Sequence, residues 1–139
     1  LMTKYPDNDK FKWNFDNDNF DILSRADVMI TDFSGIIFDY CLVFDRPLIY
    51  ADTSMDLSPY DAAWIDEPLW RFEVLPKLGL QLKEEQFDNM KEIIDNLIVD
   101  DKYKAGREEV KATAWQCIGE SAKLTVDYLV NKCEEITAK

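Results

Sequence analysis

The chain of 139 residues contains no histidine. This absence excludes Ser-His-Asp triads, Cys-His pairs, imidazole general bases and histidine-ligated metals from these residues. Cysteine is scarce as well: the three present are odd in number and widely spaced, and none belongs to a CxxC pair. Zinc knuckles and thioredoxin-type redox chemistry are therefore not expected. We interpret Cys41, Cys117 and Cys133 as reduced packing residues of a cytosolic protein.

Positively charged residues are also few, and the sequence has no long apolar run. Lys and Arg number 16 against 28 Asp and Glu, which gives a formal net charge of −12. An acidic chain of this kind is a poor match for nucleic acid or for an anionic lipid surface. No run approaches the ~20 apolar residues of a membrane helix, and no basic-then-apolar leader opens the sequence. We expect a cytoplasmic location and no nucleic-acid partner.

What is present fits one packed globular domain. Hydrophobic residues make up 47% of the chain and aromatic residues 13%, which is typical of a folded protein with its own core.

Residues 1–19 are polar and rich in Asn and Asp, a composition that is also found in calcium-binding loops. The segment lacks the central Gly and the closing Glu of an EF-hand. We therefore predict a loop region of Asx turns without a metal, ending at Asn19 as a helix N-cap.

The sequence of residues 20–51 predicts, in chain order, a short helix, a strand, a second helix and a second strand. The first helix covers residues 20–26, and the apolar, partly β-branched run 28–31 is typical of a strand buried on both faces. A polar turn breaks that run, residues 36–44 form a buried helix, and residues 48–51 form the second strand. The connection is long enough for a parallel crossover. The fold class is therefore α/β.

The remainder divides into an irregular part and a helical part. Residues 52–80 contain three of the five prolines and predict an irregular excursion from the sheet, within which the alternation of residues 70–74 indicates a short strand. From residue 81 onward the apolar spacing predicts helices over 83–99, 102–116 and the C-terminus. The apolar stripe of the terminal helix consists of Ala122, Val126, Leu129, Val130 and Cys133.

The candidate site lies where the first strand passes into the helix, at Thr31, Asp32, Ser34 and Gly35. Open α/β sheets bind ligands at this edge, and the free N–H groups of a helix start suit a phosphate. Ser34 adds a hydroxyl donor, and Gly35 allows a close approach to the backbone. Asp32 repels anions, so it either holds the loop by accepting N–H bonds or meets a ligand hydroxyl. The alternative is that Asp32 and Ser34 only cap the helix.

Asp39 is the unusual residue of the predicted helix. It is the one carboxylate in an otherwise apolar run, and a carboxylate is costly to bury without a partner. Arg46 or a backbone donor would serve as that partner. We therefore favour a structural role for Asp39 and Arg46 over a catalytic one.

The run DILSRADVMITDFSGIIFDYCLVFDRPLIYADTSMD, residues 21–56, resembles the C-terminal signature of the CDP-glycerol glycerophosphotransferases, which build teichoic acid chains. The family pattern reads aDvlITDYSS, then iiFDfallnkPiifY, with an acidic residue soon after. The matching positions are Asp27, Ile30, Thr31, Asp32, Ser34, Phe38, Asp39, Pro47 and Tyr50, with Asp52 as the later acidic residue. Gly35 and Phe33 replace a Ser and a Tyr, which leaves open a donor other than CDP-glycerol. Residues 115–129 resemble the family's closing helix more loosely.

The resemblance implies a GT-B enzyme with two Rossmann-like domains, whose nucleotide-activated donor binds mainly the C-terminal one. The chain then corresponds to a partial Rossmann-like, donor-binding part, with Thr31, Asp32, Ser34 and Gly35 at the donor phosphates and Asp52 as a further substrate contact. The acceptor domain and the catalytic histidines would precede residue 1. These residues would therefore hold no catalytic residue and no cofactor, and any peripheral attachment to the inner face of the membrane would run through the preceding part.

Two other functions remain open at this point. A GT-B glycosyltransferase that uses a nucleotide sugar would bind phosphate at the same sheet edge. A non-catalytic module that binds a protein partner through its acidic, aromatic-rich surface is the second alternative. That module would be favoured if no nucleotide bound and Trp64 or Trp70 lay exposed together.

Overall fold

A computed structural model of the chain describes residues 1–51, 56, 58, 59, 64 and 69–137. Its centre is a parallel sheet of three short strands, β1 (Met29–Thr31), β2 (Leu48–Ala51) and β3 (Gly79–Leu82), in the order β1-β2-β3. Ile30 pairs with Ile49, and Ile49 in turn with Leu80. The predicted α/β class with a short parallel sheet and flanking helices is confirmed, and the arrangement is consistent with part of a Rossmann-like fold.

The described residues form six helices. They are α1 (Phe20–Arg25), α2 (Ile36–Phe38), α3 (Trp70–Leu78), α4 (Met90–Val99), α5 (Lys104–Ala114) and α6 (Ser121–Thr137). Helix α2 continues directly into a π-helical segment, Asp39–Val43, and a 3₁₀ segment, Glu84–Asn89, leads into α4. The helical C-terminus that the sequence predicts is confirmed.

The two faces of the sheet bury separate apolar clusters because successive side chains of a strand point to opposite faces. Leu48 and Tyr50 of β2 face the larger cluster, which also contains Leu78 of α3 and Val110 of α5. Ile49 lies on the other face with Leu82 and Leu97. The larger cluster also includes Tyr40, Cys41 and Leu42 of the π-helical segment, which therefore anchors the crossover to the sheet.

Two glycines mark places where backbones come too close for a side chain. A Cβ on Gly79 would lie 2.1 Å from the carbonyl oxygen of Leu48, and one on Gly106 would lie 2.2 Å from that of Lys77. The first contact lets β3 begin directly against β2. The second brings α5 onto α3, the helix that reaches the candidate site.

The predicted strand at residues 70–74 is wrong, because these residues open helix α3. The buried residues of this helix are Val74, Leu75 and Leu78, which follow helical rather than alternating spacing. The end of the predicted irregular excursion is thus helix α3 and the first half of β3, a strand across the predicted boundary at residues 80 and 81 that the sequence analysis does not predict. Residues 52–55, 57, 60–63 and 65–68 of the excursion lie outside the described residues.

The two ends of the chain are mostly exposed. In residues 1–19 the Asx side chains accept N–H bonds from residues close in sequence, and Asp18 accepts the N–H of Phe20 at 2.9 Å. Asn19 occupies the N-cap of α1, but its side chain makes no capping bond. At the other end α6 forms as predicted, yet all of its residues are exposed, including the apolar stripe. Across the residues described, no helix is long and apolar enough to cross a bilayer.

Candidate functional site

The structure brings Thr31, Asp32, Ser34 and Gly35 together in one turn at the carboxyl edge of the sheet. Strand β1 ends at Thr31, and α2 begins at Ile36. Asp32, Ser34 and Gly35 are exposed, whereas Thr31 is half-buried because its backbone lies beside Tyr50 of β2. The turn therefore faces solvent at the edge where parallel sheets bind ligands.

Asp32 holds this turn from within. Its Oδ1 accepts the backbone N–H of Ser34 at 2.7 Å, which closes an Asx turn. This contact corresponds to the loop-holding role considered from the sequence. The role of Asp32 toward a ligand hydroxyl stays a prediction.

The start of α2 leaves hydrogen-bond donors free. The N–H groups of Ile37 and Phe38 donate to the carbonyls of Ser34 and Gly35, at 3.2 and 3.1 Å. Within the described part of the chain, the N–H groups of Gly35 and Ile36 and the hydroxyl of Ser34 have no partner. Gly35 is the N-cap residue, and no side chain caps the helix. The capping interpretation of Asp32 and Ser34 is therefore not supported.

Nothing in the fold requires glycine at position 35. Its φ of −60° is accessible to every residue, and a Cβ built there would meet no atom within 4 Å. This contrasts with Gly79 and Gly106, where the space is filled. The open volume beside the Gly35 amide lies on the solvent side of the turn, where a ligand would approach.

The expectation that Asp39 is buried and paired is wrong. Asp39 begins the π-helical segment, but it is exposed and has no partner among the described residues. The cause is the helical period, which places Gly35, Asp39 and Val43 on one exposed face while Tyr40, Cys41 and Leu42 turn to the core.

Arg46, the expected partner of Asp39, lies at the opposite, amino edge of the sheet. Its guanidinium donates to the carbonyl of Ala26 at 2.8 Å and pairs with Asp27 at 3.0 Å. The hydroxyl of Tyr40 donates to the same carbonyl at 2.9 Å. Burial raises the pKa of Tyr40 to about 12, so the hydroxyl remains a donor at neutral pH. Arg46 thus ties the start of β1 to the start of β2.

A second charged cluster at the amino edge was missed by the sequence analysis. Arg107 of α5 is 1% exposed, and its guanidinium donates to Asp45 at 2.9 Å and to both carboxylate oxygens of Asp101, at 2.9 and 2.5 Å. Burial alone would lower the pKa of Arg107, but the hydrogen bonds with Asp101 and Asp45 hold it above its usual value. The available signal was the spacing from Val110, which puts Arg107 on the buried face of α5.

Cys41 lies beside this cluster and is inert as a nucleophile. Burial raises the pKa of its thiol to about 12, so almost no thiolate exists at neutral pH. Cys117 and Cys133 are exposed, and no two of the three cysteines form a disulfide. The prediction of buried packing residues thus holds for Cys41 and is wrong for Cys117 and Cys133.

A cavity of about 200 Å³ opens beside the site turn. It is lined by Phe33, Tyr50, Ala51, Phe72, Leu75, Pro76 and Gln81. The rings of Phe33 and Phe72 meet edge to face with centroids 5.8 Å apart. The sequence analysis missed this cavity because it assigned Phe72 to a strand and did not predict β3, which carries Gln81. Asp52, the further predicted contact, lies outside the described residues.

Open parallel α/β sheets bind ligands at their carboxyl edge, where the turn after β1 lies in this chain. The comparisons identify the family. The model of the family "CDP-Glycerol:Poly(glycerophosphate) glycerophosphotransferase" matches residues 5–113, and the chain belongs to this transferase family. No curated protein and no solved structure matched the chain. The looser resemblance of residues 115–129 lies beyond the matched range and stays a prediction.

Proposed function

We propose that this chain binds the nucleotide-activated donor of a glycerophosphotransferase-like reaction, with the donor diphosphate on the turn from Thr31 to Gly35. The observation that carries the proposal is the set of unpaired donors at this turn: the N–H groups of Gly35 and Ile36 and the hydroxyl of Ser34. Family membership supplies the class of reaction.

The hydrogen-bond donors of the turn, rather than the net charge of the chain, support the binding of an anion at this site. The chain carries a net charge of −12, and Asp32 and Asp39 both lie close to the turn, so the long-range field opposes a diphosphate. Backbone N–H groups at the positive end of a helix act at short range and need no counter-charge. A hydrogen bond to a charged group contributes about 1.5–3 kcal/mol. The Asx turn of Asp32 keeps these donors in place before the ligand arrives.

In this proposal the general base is not among these 139 residues. They contain no histidine, and within the described part no side chain at the turn is positioned as a base beside a nucleophile. We propose that an acceptor-binding part with the catalytic histidines lies outside them, in a GT-B arrangement. The enzyme would extend a teichoic-acid-type polymer at the cytoplasmic face of the membrane. Accordingly, we expect the 139-residue chain to turn over no CDP-glycerol, and measurable turnover would overturn this assignment.

A titration by calorimetry tests the donor class. CDP-glycerol, CDP-ribitol and UDP-glucose are compared on the same protein, and CDP-glycerol is expected to bind most tightly. Tightest binding of UDP-glucose would instead favour the nucleotide-sugar glycosyltransferase. Gly35→Val serves as the structural variant: a Cβ at this position would meet no atom within 4 Å, and the branched side chain would crowd the free amides, so donor affinity should fall while the melting temperature stays.

Both tryptophans named for the protein-binding alternative are exposed, Trp64 at 85% and Trp70 at 40%. The ring of Trp70 also stacks on that of Phe38 with centroids 5.4 Å apart. The second tryptophan thus supports the helix that leads from the site turn. If none of the nucleotides binds in the titration, the protein-binding alternative is favoured.

A further inference from the structure

We propose that Trp70 and Phe72 are positioning residues for the donor phosphates, because each holds one end of the segment that carries the free hydrogen-bond donors. The proposal rests on the proposed function, which places the diphosphate on the turn from Thr31 to Gly35. Both residues belong to the first turn of α3, which begins at Trp70. They are assigned no contact with the ligand and act through Phe33 and Phe38.

The free donors depend on support from outside their own segment. The unpaired N–H groups belong to Gly35 and Ile36, and no side chain caps the helix that starts there. Helix α2 has three residues before it continues into the π-helical segment, and helices this short are not stable on their own. Gly35 lacks a Cβ, so its backbone has more conformational freedom than that of other residues. The direction of the two N–H groups therefore depends on contacts with other elements.

Two aromatic pairs supply such contacts, one on each side of the free donors. Phe33 precedes the donors in the chain, and its ring meets that of Phe72 edge to face with centroids 5.8 Å apart. Phe38 follows the donors, and its ring stacks on that of Trp70 with centroids 5.4 Å apart and an angle of 18° between the ring planes. Both arrangements are favourable for aromatic rings. The donors thus lie between two anchored residues.

Helix α3 is itself fixed in the fold, so it can serve as an anchor. Lys77 near its end pairs with Glu109 of α5 at 2.7 Å. Three of its residues are buried in the larger cluster, namely Val74, Leu75 and Leu78. Residues two apart on a helix point to different sides, so Trp70 and Phe72 reach the site segment at separate places. Donors that are oriented in advance bind an anion without a further cost of ordering.

The experiment titrates the 139-residue chain with inorganic pyrophosphate and with CDP-glycerol by calorimetry. NMR order parameters of the Gly35 and Ile36 amides are measured without ligand. Phe72→Leu and Trp70→Leu each remove one aromatic ring. Each variant should weaken the binding of both ligands about three- to tenfold, which is the effect of losing one aromatic pair. The order parameters of the two amides should fall in the same variants.

Conservative variants and a control distinguish positioning from a general loss of stability. Phe72→Tyr and Trp70→Phe keep an aromatic ring and should bind both ligands as tightly as the wild type does. Phe11→Leu is the matched control, because Phe11 forms an edge-to-face pair with Trp13 in the N-terminal loop region, and it should change neither the affinities nor the order parameters. If Phe72→Leu does not fold, Trp70→Leu decides, since Trp70 is 40% exposed.

A double variant tests whether Phe72 acts through Phe33. Residues that contribute through one shared contact have effects that do not add. The combination of Phe33→Leu with Phe72→Leu should therefore bind pyrophosphate about as tightly as Phe72→Leu alone. A further loss equal to that of the first substitution would overturn the assigned route.

The outcomes separate this inference from the proposed function. Pyrophosphate binding that is unchanged in both leucine variants overturns the positioning role and leaves the phosphate site standing. A loss with CDP-glycerol but not with pyrophosphate would mean that the rings contact the nucleotide itself, which also overturns the role. The same holds for an equal loss in the conservative variants, since these keep the rings. If the wild-type chain binds neither ligand, the phosphate site and the positioning role are overturned together.

Discussion

The amino edge and the carboxyl edge of the sheet differ in how their polar groups are hydrogen-bonded. At the amino edge, Arg46 and Arg107 each donate to carboxylates and backbone carbonyls, and these contacts tie together elements distant in sequence. At the carboxyl edge, the hydroxyl of Ser34 and the amides of Gly35 and Ile36 make no such contacts within the described residues. One edge ties the fold together, and the other leaves donors unpaired, which in the proposed function meet the donor phosphates.

Burial explains why the two edges differ. Arg107 is almost inaccessible to water, so its donors must be paired inside the protein. The turn at residues 32–35 is largely exposed, so water can satisfy its donors. The contrast predicts that substitutions at the amino edge lower stability, whereas substitutions at the carboxyl edge lower affinity.

The largest effect should come from Arg107→Met. It leaves the carboxylates of Asp45 and Asp101 without their buried partner, and we expect the free energy of unfolding to fall by about 3 kcal/mol or more in urea denaturation. Arg25→Met is the matched control, because Arg25 pairs with Asp21 in an exposed ion pair. The control should change stability by less than about 0.5 kcal/mol. Equal effects of the two variants would contradict the contrast between the edges.

The next effect in size should come from Gly106→Ala. The new methyl group would lie about 2.2 Å from the carbonyl oxygen of Lys77, so α5 must move away from α3. Overpacking of this kind costs about 1–3 kcal/mol. Gly35→Ala is the control, because that position has open space and an ordinary φ, and it should retain full stability in the same denaturation experiment. Loss of stability in Gly35→Ala would show that the turn is part of the folding core.

Ser34→Ala tests the carboxyl edge directly. Loss of one hydrogen bond to a charged ligand should weaken donor binding about ten- to a hundredfold. The melting temperature should stay the same, because the Ser34 hydroxyl makes no bond within the described structure. A capping role would give the reverse: a loss of about 1 kcal/mol in stability with unchanged affinity. Calorimetric titration and thermal melting of the same variant separate the two outcomes.

The parts of the fold that the sequence predicted are those with strong local signals. Strands β1 and β2 are apolar runs bounded by polar turns, and their crossover helix lies between two such turns. Strand β3 lacks this signal because Gly79-Leu80-Gln81-Leu82 contains no β-branched residue and follows a helix without a break. Its pairing with β2 depends on the close approach at Gly79, which is a tertiary feature.

The candidate site also has a part that the sequence predicted and a part that it did not. The turn at residues 31–35 was predictable because a strand end and a helix start lie next to each other in sequence. The cavity was not, because Phe33, Ala51 and Phe72 come from three separate segments. In the Arg107 cluster, helical spacing indicates that Arg107 is buried, but it does not indicate the pairing with Asp45, which lies 62 positions away.

The smallest effect on stability is expected for a substitution of Asp39. This prediction tests whether helical spacing or the apolar composition of the run determines the burial of its carboxylate. A carboxylate in an apolar run looks buried, yet its position four residues after Gly35 puts it on the exposed face. Asp39→Asn should therefore change the free energy of unfolding by less than about 0.5 kcal/mol, as at other exposed sites. Asp101→Asn, which removes the charge facing Arg107, is the comparison and should cost clearly more. A loss at Asp39 as large as that at Asp101 would mean that its carboxylate is paired in the folded protein and that both edges of the sheet carry structural charges.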